Sequence, residues 1–204
     1  RRKTQADKAT VYLNSGNLHR IELTQVRGLE QDNGRKTYLE ADKATLWYSP
    51  LEILEKIIAE GSAKLSSTAS ESSFATWGEQ LTLFYVAQSD RKQSELREAD
   101  ARENAGIEVI SASHAKTNKN IIADNSKESL QENQLHRMHS EWIHLTMRTG
   151  KKDIDHIETL APGKFEVIPS AENSRERQMT AQRMHMSFGI KNHMEKLRAL
   201  GDVE

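Results

Sequence analysis

Apolar residues recur at every second position in five short stretches of this chain, beginning at residues 6, 41, 78, 140 and 181. They read ADKATVYL, ADKATLWY, GEQLTLFY, SEWIHLTM and AQRMHMSF, the first two sharing ADKAT letter for letter. Aligned, their fourth, sixth and eighth positions are Ala9, Val11 and Leu13; Ala44, Leu46 and Tyr48; Leu81, Leu83 and Tyr85; Ile143, Leu145 and Met147; and Met184, Met186 and Phe188. Every one is apolar or tyrosine. The positions between them are mixed: Thr10, Thr45, Thr82, His144 and His185, then Tyr12, Trp47, Phe84, Thr146 and Ser187. A period of two with one greasy face predicts half-buried β-strands.

Each stretch runs into a polar turn, at Asn14–Asn17, Ser49-Pro50, Ser89–Lys92, Thr149–Lys152 and Gly189–Asn192. An apolar return follows, at Ile21–Leu23, Ile57–Ala59, Ile154–Leu160 and Leu197–Leu200, and glycines then fall at Gly28, Gly61, Gly106, Gly163 and Gly201. Alternation resumes beyond three of them, at Ile107/Val109, Phe165/Val167 and Val203, which suits a glycine corner between sheet faces. The predicted unit is strand, turn, strand, corner, strand. Such units are expected to stack by pairing each strand with its counterpart in the next unit. Residues 51–60 and 94–105 are rich in helix-forming residues, but the repeat register assigns both to strands, with a helix at 94–104 as the alternative. The step between the third and fourth copies is long and contains the polar segment 111–136, read as a mobile loop in which Ile121-Ile122 could seed a short strand.

Composition narrows the function classes. Lys+Arg (29) and Asp+Glu (30) nearly cancel, so the chain lacks the basic excess that binding to nucleic acid demands. With no cysteine, disulfides, thiolate-bound metals and thiol catalysis are excluded. No apolar run approaches the ~20 residues that span a bilayer as a helix, and Arg1-Arg2-Lys3 leads straight into polar sequence. An export signal or membrane anchor is therefore expected to lie outside this stretch.

The pattern A-D-x-A-x-hydrophobic-x-Tyr, then a turn, then a strand leading to G-x-V/F-x-V, resembles the OstA-like repeat of periplasmic lipopolysaccharide-transport proteins of the LptA/LptC type. The residues that carry the likeness are Ala41-Asp42-Lys43-Ala44 with Tyr48, Gly163-Lys164-Phe165-Glu166-Val167, and Gly201-Asp202-Val203. The resemblance implies one all-β domain over residues 1–204, an open, clam-like β-jelly-roll with an apolar groove. It also implies a periplasmic location and lipopolysaccharide or a similar multi-acyl lipid as ligand. The implied partners are further OstA-like β-domains docked end to end and an inner-membrane transporter. The long step before residue 140 and the Met- and His-rich last copies depart from typical members.

The chemistry of such a groove follows from the residues themselves. Five apolar triplets side by side form a stripe on which an acyl chain gains ~0.8 kcal/mol per buried methylene. Methionine adapts to irregular shapes, and Met147, Met184 and Met186 sit at inward positions. All the triplet residues except Ala9 are taken as groove lining. A filled β-sandwich core is the competing reading, and it would make the chain a structural β-repeat scaffold or adhesin. A β-helix enzyme acting on carbohydrate is a third, for which the repeats offer no column of carboxylates. No GxSxG, GxxxxGK, GxGxxG or HExxH is present, and neither catalytic residue, cofactor nor metal site is assigned. His136, His139 and His144 are read as surface histidines, His144 and His185 as a cross-strand pair, Asp153 and Asp155 as solvated, and Trp47, Trp77 and Trp142 as core or seam residues. The exposed strand rows for docking are expected at Lys3–Leu13 and Leu197–Glu204.

Overall fold

Hairpin follows hairpin along most of the chain. The structure, a computed structural model, describes residues 2–32, 34–70, 72–87, 94–112, 133–150, 153–168 and 176–204. Within these, the strands are β1 (Arg2–Gln5), β2 (Lys8–Asn14), β3 (Asn17–Asp32), β4 (Arg35–Tyr48), β5 (Leu54–Thr68), β6 (Ser72–Ala87), β7 (Ser94–Ala112), β8 (Asn133–Met147), β9 (Ile154–Thr159), β10 (Gly163–Ile168), β11 (Arg177–Ala181), β12 (Arg183–Phe188) and β13 (Met194–Leu200). The protein is all-β, one open antiparallel sheet that does not close into a barrel. Both helix-prone stretches are strand, 54–60 in β5 and 94–105 in β7, with 51–53 in the turn before β5. Cross-strand packing of an alternating face overrides local propensity there.

The pairing differs from the expected stacking. Copies of the first strand do not bond to one another: β4 lies between β3 and β5, and β6 between β5 and β7. A return strand separates each copy from the next, because a short turn delivers an antiparallel neighbour before the next copy has been made.

Strands β3 to β8 are long because each crosses a crease. Register shifts fall at Glu40/Lys43, Glu60/Ala63, Trp77/Gln80 and Arg102/Ala105. Gln25, Gly61, Ser62, Glu103 and Asn104 adopt positive φ along the same line. The bulges bend the sheet into two arms. What we call the repeat arm carries β2, the apolar triplets of β4, β6 and β8, and β9, β12 and β13. The facing arm carries β1, the other halves of β3 to β8, and β10 and β11. Beyond β8 the arms continue separately, through β9 on one side and β10 on the other.

The corner residues were only partly those expected. Gly61 does sit at the crease with φ 77°, whereas Gln25 and Glu103-Asn104 make the bends ahead of Gly28 and Gly106. Gly106 serves another purpose: a Cβ there would lie 2.2 Å from the indole of Trp77, which rests on its bare backbone. Gly163 opens β10, and Val203 lies beyond the last strand. The segment read as a loop at 111–136 is strand at both described ends, 111–112 and 133–136. Ile121-Ile122 and the turn at 89–92 lie outside the described residues, as do Lys151 and Lys152.

Candidate functional site

Antiparallel pairing places the apolar triplets in continuous rows. Val11 is opposite Ile21, which is opposite Leu46, then Ile57, Leu83, Ala99, Leu145, Ile157, Met186 and Leu197 in turn. A parallel row runs from Ala9 through Leu23, Ala44, Ala59, Leu81 and Ala101 to Ile143. Opposite, the facing arm presents Leu39, Leu65, Thr76, Ile107, Met138, Phe165 and Met179 in one row. Residues from the inner faces of both arms form a single hydrophobic cluster. The proposed lining residues other than Leu13 and Tyr48 thus lie in these rows or in the cluster.

They do not share one environment. Leu81, Leu83, Ile143, Leu145, Met147, Met184, Met186 and Phe188 are buried, as is Ala44. Leu46 and Tyr85 are half-buried against the cluster, and Tyr48 is half-buried too. Val11 is 55% and Leu13 64% exposed. The inner face is therefore packed between the arms at the C-terminal end and uncovered at β2.

The packed end is fastened across its mouth. Arg35, at the tip of the facing arm, bonds through Nη2 to Asp153 Oδ1 of the repeat arm at 2.8 Å. The same guanidinium donates to Ser67 and Ser72. The other carboxylate oxygen of Asp153 accepts from the backbone N–H of Lys191, and the buried Asn192 Oδ1 accepts from the N–H of Ile154. The short turn Ile190–Asn192 also packs against β6 and β7. Strands β8 and β9 separate it from them within the repeat arm, so this contact crosses the mouth. Asp153 is thus not solvated as expected; only Asp155 is, with a half-exposed side chain.

The histidines separate by face. His136 points inward among the facing-arm rows, buried and stacked on Phe165, with its Nδ1 unpartnered. Burial, helped by the nearby His193, lowers its pKa below the usual histidine value. This corrects its reading as a surface residue. His139 is on the outer face against Trp77. His144 and His185 are not a direct pair: Glu158 is opposite both, and His185 stacks on His156 instead. His144 Nδ1 meets Asp100 at 2.9 Å, and this bond raises the histidine pKa against the effect of burial. On Asp100 burial acts upward, but the bonds from His144 and Trp142 with the adjacent charges outweigh it and lower the carboxyl. Among the described residues no group of three or more His, Asp or Glu is placed to hold a metal.

Trp47, Trp77 and Trp142 are half-buried on the outer faces rather than in the core. Alternation alone places Trp47 and Trp142 there, because each sits one residue from an inward position. Sequence reasoning missed Arg35 and the buried role of Asp153, since nothing local links residues so far apart in the chain.

The class defined by this geometry is an open, jelly-roll-like antiparallel β-structure with an apolar inner face exposed at one end. Comparison with protein-family models, with curated proteins and with solved structures finds no match for the chain.

Proposed function

We propose that the protein binds lipid without catalysis, holding acyl chains against the inner face of the repeat arm. The observation that carries this is the gradient along one unbroken apolar row, from buried Met186 and Leu145 through half-buried Leu46 to exposed Val11. An acyl chain laid on the open end would cover side chains that the protein leaves in water. Half a dozen methylenes removed from water there contribute about 5 kcal/mol. The sequence likeness to the OstA-like repeat extends this to a periplasmic module for lipopolysaccharide or another multi-acyl lipid. On that reading β1 and β2 at one end and β13 at the other are the edges to which neighbouring β-domains would add, with an inner-membrane transporter as lipid source.

A scaffold without ligand is the second reading, and the closely packed interior from β6 onward favours it. Photo-crosslinking separates the two. A photoreactive residue at Val11 or Leu46, on the inner face, is expected to yield lipid adducts, while one at Thr45 on the outer face yields none. Absence of adducts at all inner positions in folded protein would leave the scaffold standing. Adducts at Leu83 would show that lipid also enters the packed end.

A further inference from the structure

Four polar contacts run in series across the outer face of the repeat arm. His144 Nδ1 meets Asp100 Oδ1 at 2.9 Å, and its Nε2 lies 3.3 Å from Thr146 Oγ1. The same hydroxyl is 3.1 Å from His156 Nε2, and His156 Nδ1 is 3.4 Å from Asp155 Oδ2. Counting donors fixes where each hydrogen sits. A carboxylate only accepts, a hydroxyl has one hydrogen, and a neutral imidazole carries one N–H and one lone pair. Despite burial, the bonds from His144 and Trp142 keep the Asp100 carboxyl low and ionised, so His144 carries its hydrogen on Nδ1. Its bare Nε2 takes the Thr146 hydrogen, and the Thr146 oxygen in turn takes one from His156 Nε2. His156 Nδ1 is then a lone pair facing the Asp155 carboxylate. That contact is the unsatisfied link of the chain, and it lies at the outer end, where Asp155 is 49% exposed.

We propose that Asp100, His144, Thr146, His156 and Asp155 form one proton relay, which takes up a single proton at His156 Nδ1 and holds the resulting charge on His144. The arriving proton turns the bare contact with Asp155 into a hydrogen bond. His156 Nε2 then passes its own proton to the Thr146 oxygen as the hydroxyl proton moves to His144 Nε2. One proton has entered, each transferred bond is replaced, and the Thr146 hydroxyl now donates back to His156. Every polar atom of the chain is paired in this state, which ties β7, β8 and β9 together. The neighbouring charges decide where it rests. Around His144 stand Asp100, Glu98 and Glu158, and they raise its pKa against burial. Arg102, on the same side, is held over the Trp142 ring at 4.1 Å. His156 stacks instead on His185, with ring centres 5.4 Å apart, and Lys196 and Arg198 continue its side of the sheet. Its carboxylate partner Asp155 is shared with Arg148. A second proton would put two cations in rings 6.4 Å apart, so the pair titrates in two separate steps. The device is a pH-sensitive brace on the strands that carry Leu145 and Ile157, and it stands independently of any lipid.

Long-range proton–nitrogen NMR of the whole chain labelled with 15N-histidine reads each ring nitrogen directly, and His144→Gln and His156→Gln assign the signals. At alkaline pH His144 is expected to be protonated on Nδ1 alone and His156 on Nε2 alone. Over the first acid step His144 should become doubly protonated while His156 exchanges its Nε2 proton for one on Nδ1, both changes following the same pH curve. Thr146→Val, of similar shape but without a hydroxyl, should lose the His156 exchange at that step, and Thr146→Ser should restore it. His144 protonated on Nε2 alone at alkaline pH would overturn the relay. So would a His156 that keeps its Nε2 proton through the first step, or a Thr146→Val protein in which the exchange persists. Should Thr146→Val fail to fold, the ring-nitrogen signals of the unaltered protein decide the matter by themselves.

Discussion

Replacing Arg35 with methionine tests how the arms are held together, and its size can be worked out in advance. The Arg35 and Asp153 side chains are 11% and 14% exposed and meet at 2.8 Å. An exposed ion pair contributes about 0–1 kcal/mol. Removing one partner of a buried pair costs roughly 3–5 kcal/mol, because the remaining charge stays desolvated. Here Ser67 and Ser72 lose their donor as well. With total stability on the order of 5–15 kcal/mol, the single variant should lose a large fraction of it and melt roughly 10 °C lower. Arg35→Met/Asp153→Leu should recover most of the loss, since an apolar pair of similar size avoids the stranded carboxylate. Urea unfolding of both single variants and the double variant forms a thermodynamic cycle. Hydrogen exchange should show the single variants opening locally at residues 153–154 and 190–193. A cost below about 1 kcal/mol for Arg35→Met, or additive effects in the cycle, would mean that the ion pair does not hold the mouth closed.

Three further outcomes are expected. Leu83→Ala should cost about 2–5 kcal/mol from the cavity left in a filled interior, against about 0.5 kcal/mol or less for the exposed Leu13→Ala; urea midpoints compare them. Gly106→Ala should displace the Trp77 ring and cost about 1–3 kcal/mol, with a changed near-ultraviolet dichroism of Trp77. The pH dependence of stability should carry two opposed histidine contributions. The folded-state pKa of His136 is lowered, so its contribution is complete above the unfolded value and is lost as pH falls from there toward the folded one. That of His144 is raised, so its contribution is complete below the unfolded value and is lost as pH rises through the folded one. Unfolding midpoints followed across pH for His136→Phe should therefore flatten the acid side, and those for His144→Gln the neutral side.

The alternating triplets made the strand class, the repeat-arm face and most turns legible, because period two leaves one solution wherever a single face is buried. The same logic assigned 94–105 to a strand against its composition. Pairing order was not legible, since any apolar strand satisfies any other until chain connectivity is considered. Nor were most of the crease residues: Gln25 and Glu103 take left-handed geometry at roughly 1–2 kcal/mol each, a strain imposed by the bend of neighbouring strands and not written in their own types, whereas Asn104 is of a type that tolerates it. The gradient in exposure along the inner row was equally hidden. Val11 and Leu83 occupy equivalent repeat positions, and only the lack of covering strands at one end distinguishes them.

The nearest-neighbour order of the sheet also bears on how the chain reaches this shape. Pairings between successive strands can zip up one hairpin at a time as the polypeptide emerges, each closing a short loop. The clasp joins residues separated by 118 positions, so it should form last. Until then the nascent molecule is a bent ribbon with both oily surfaces bare, the stage at which it is most prone to clump and most in need of an escort.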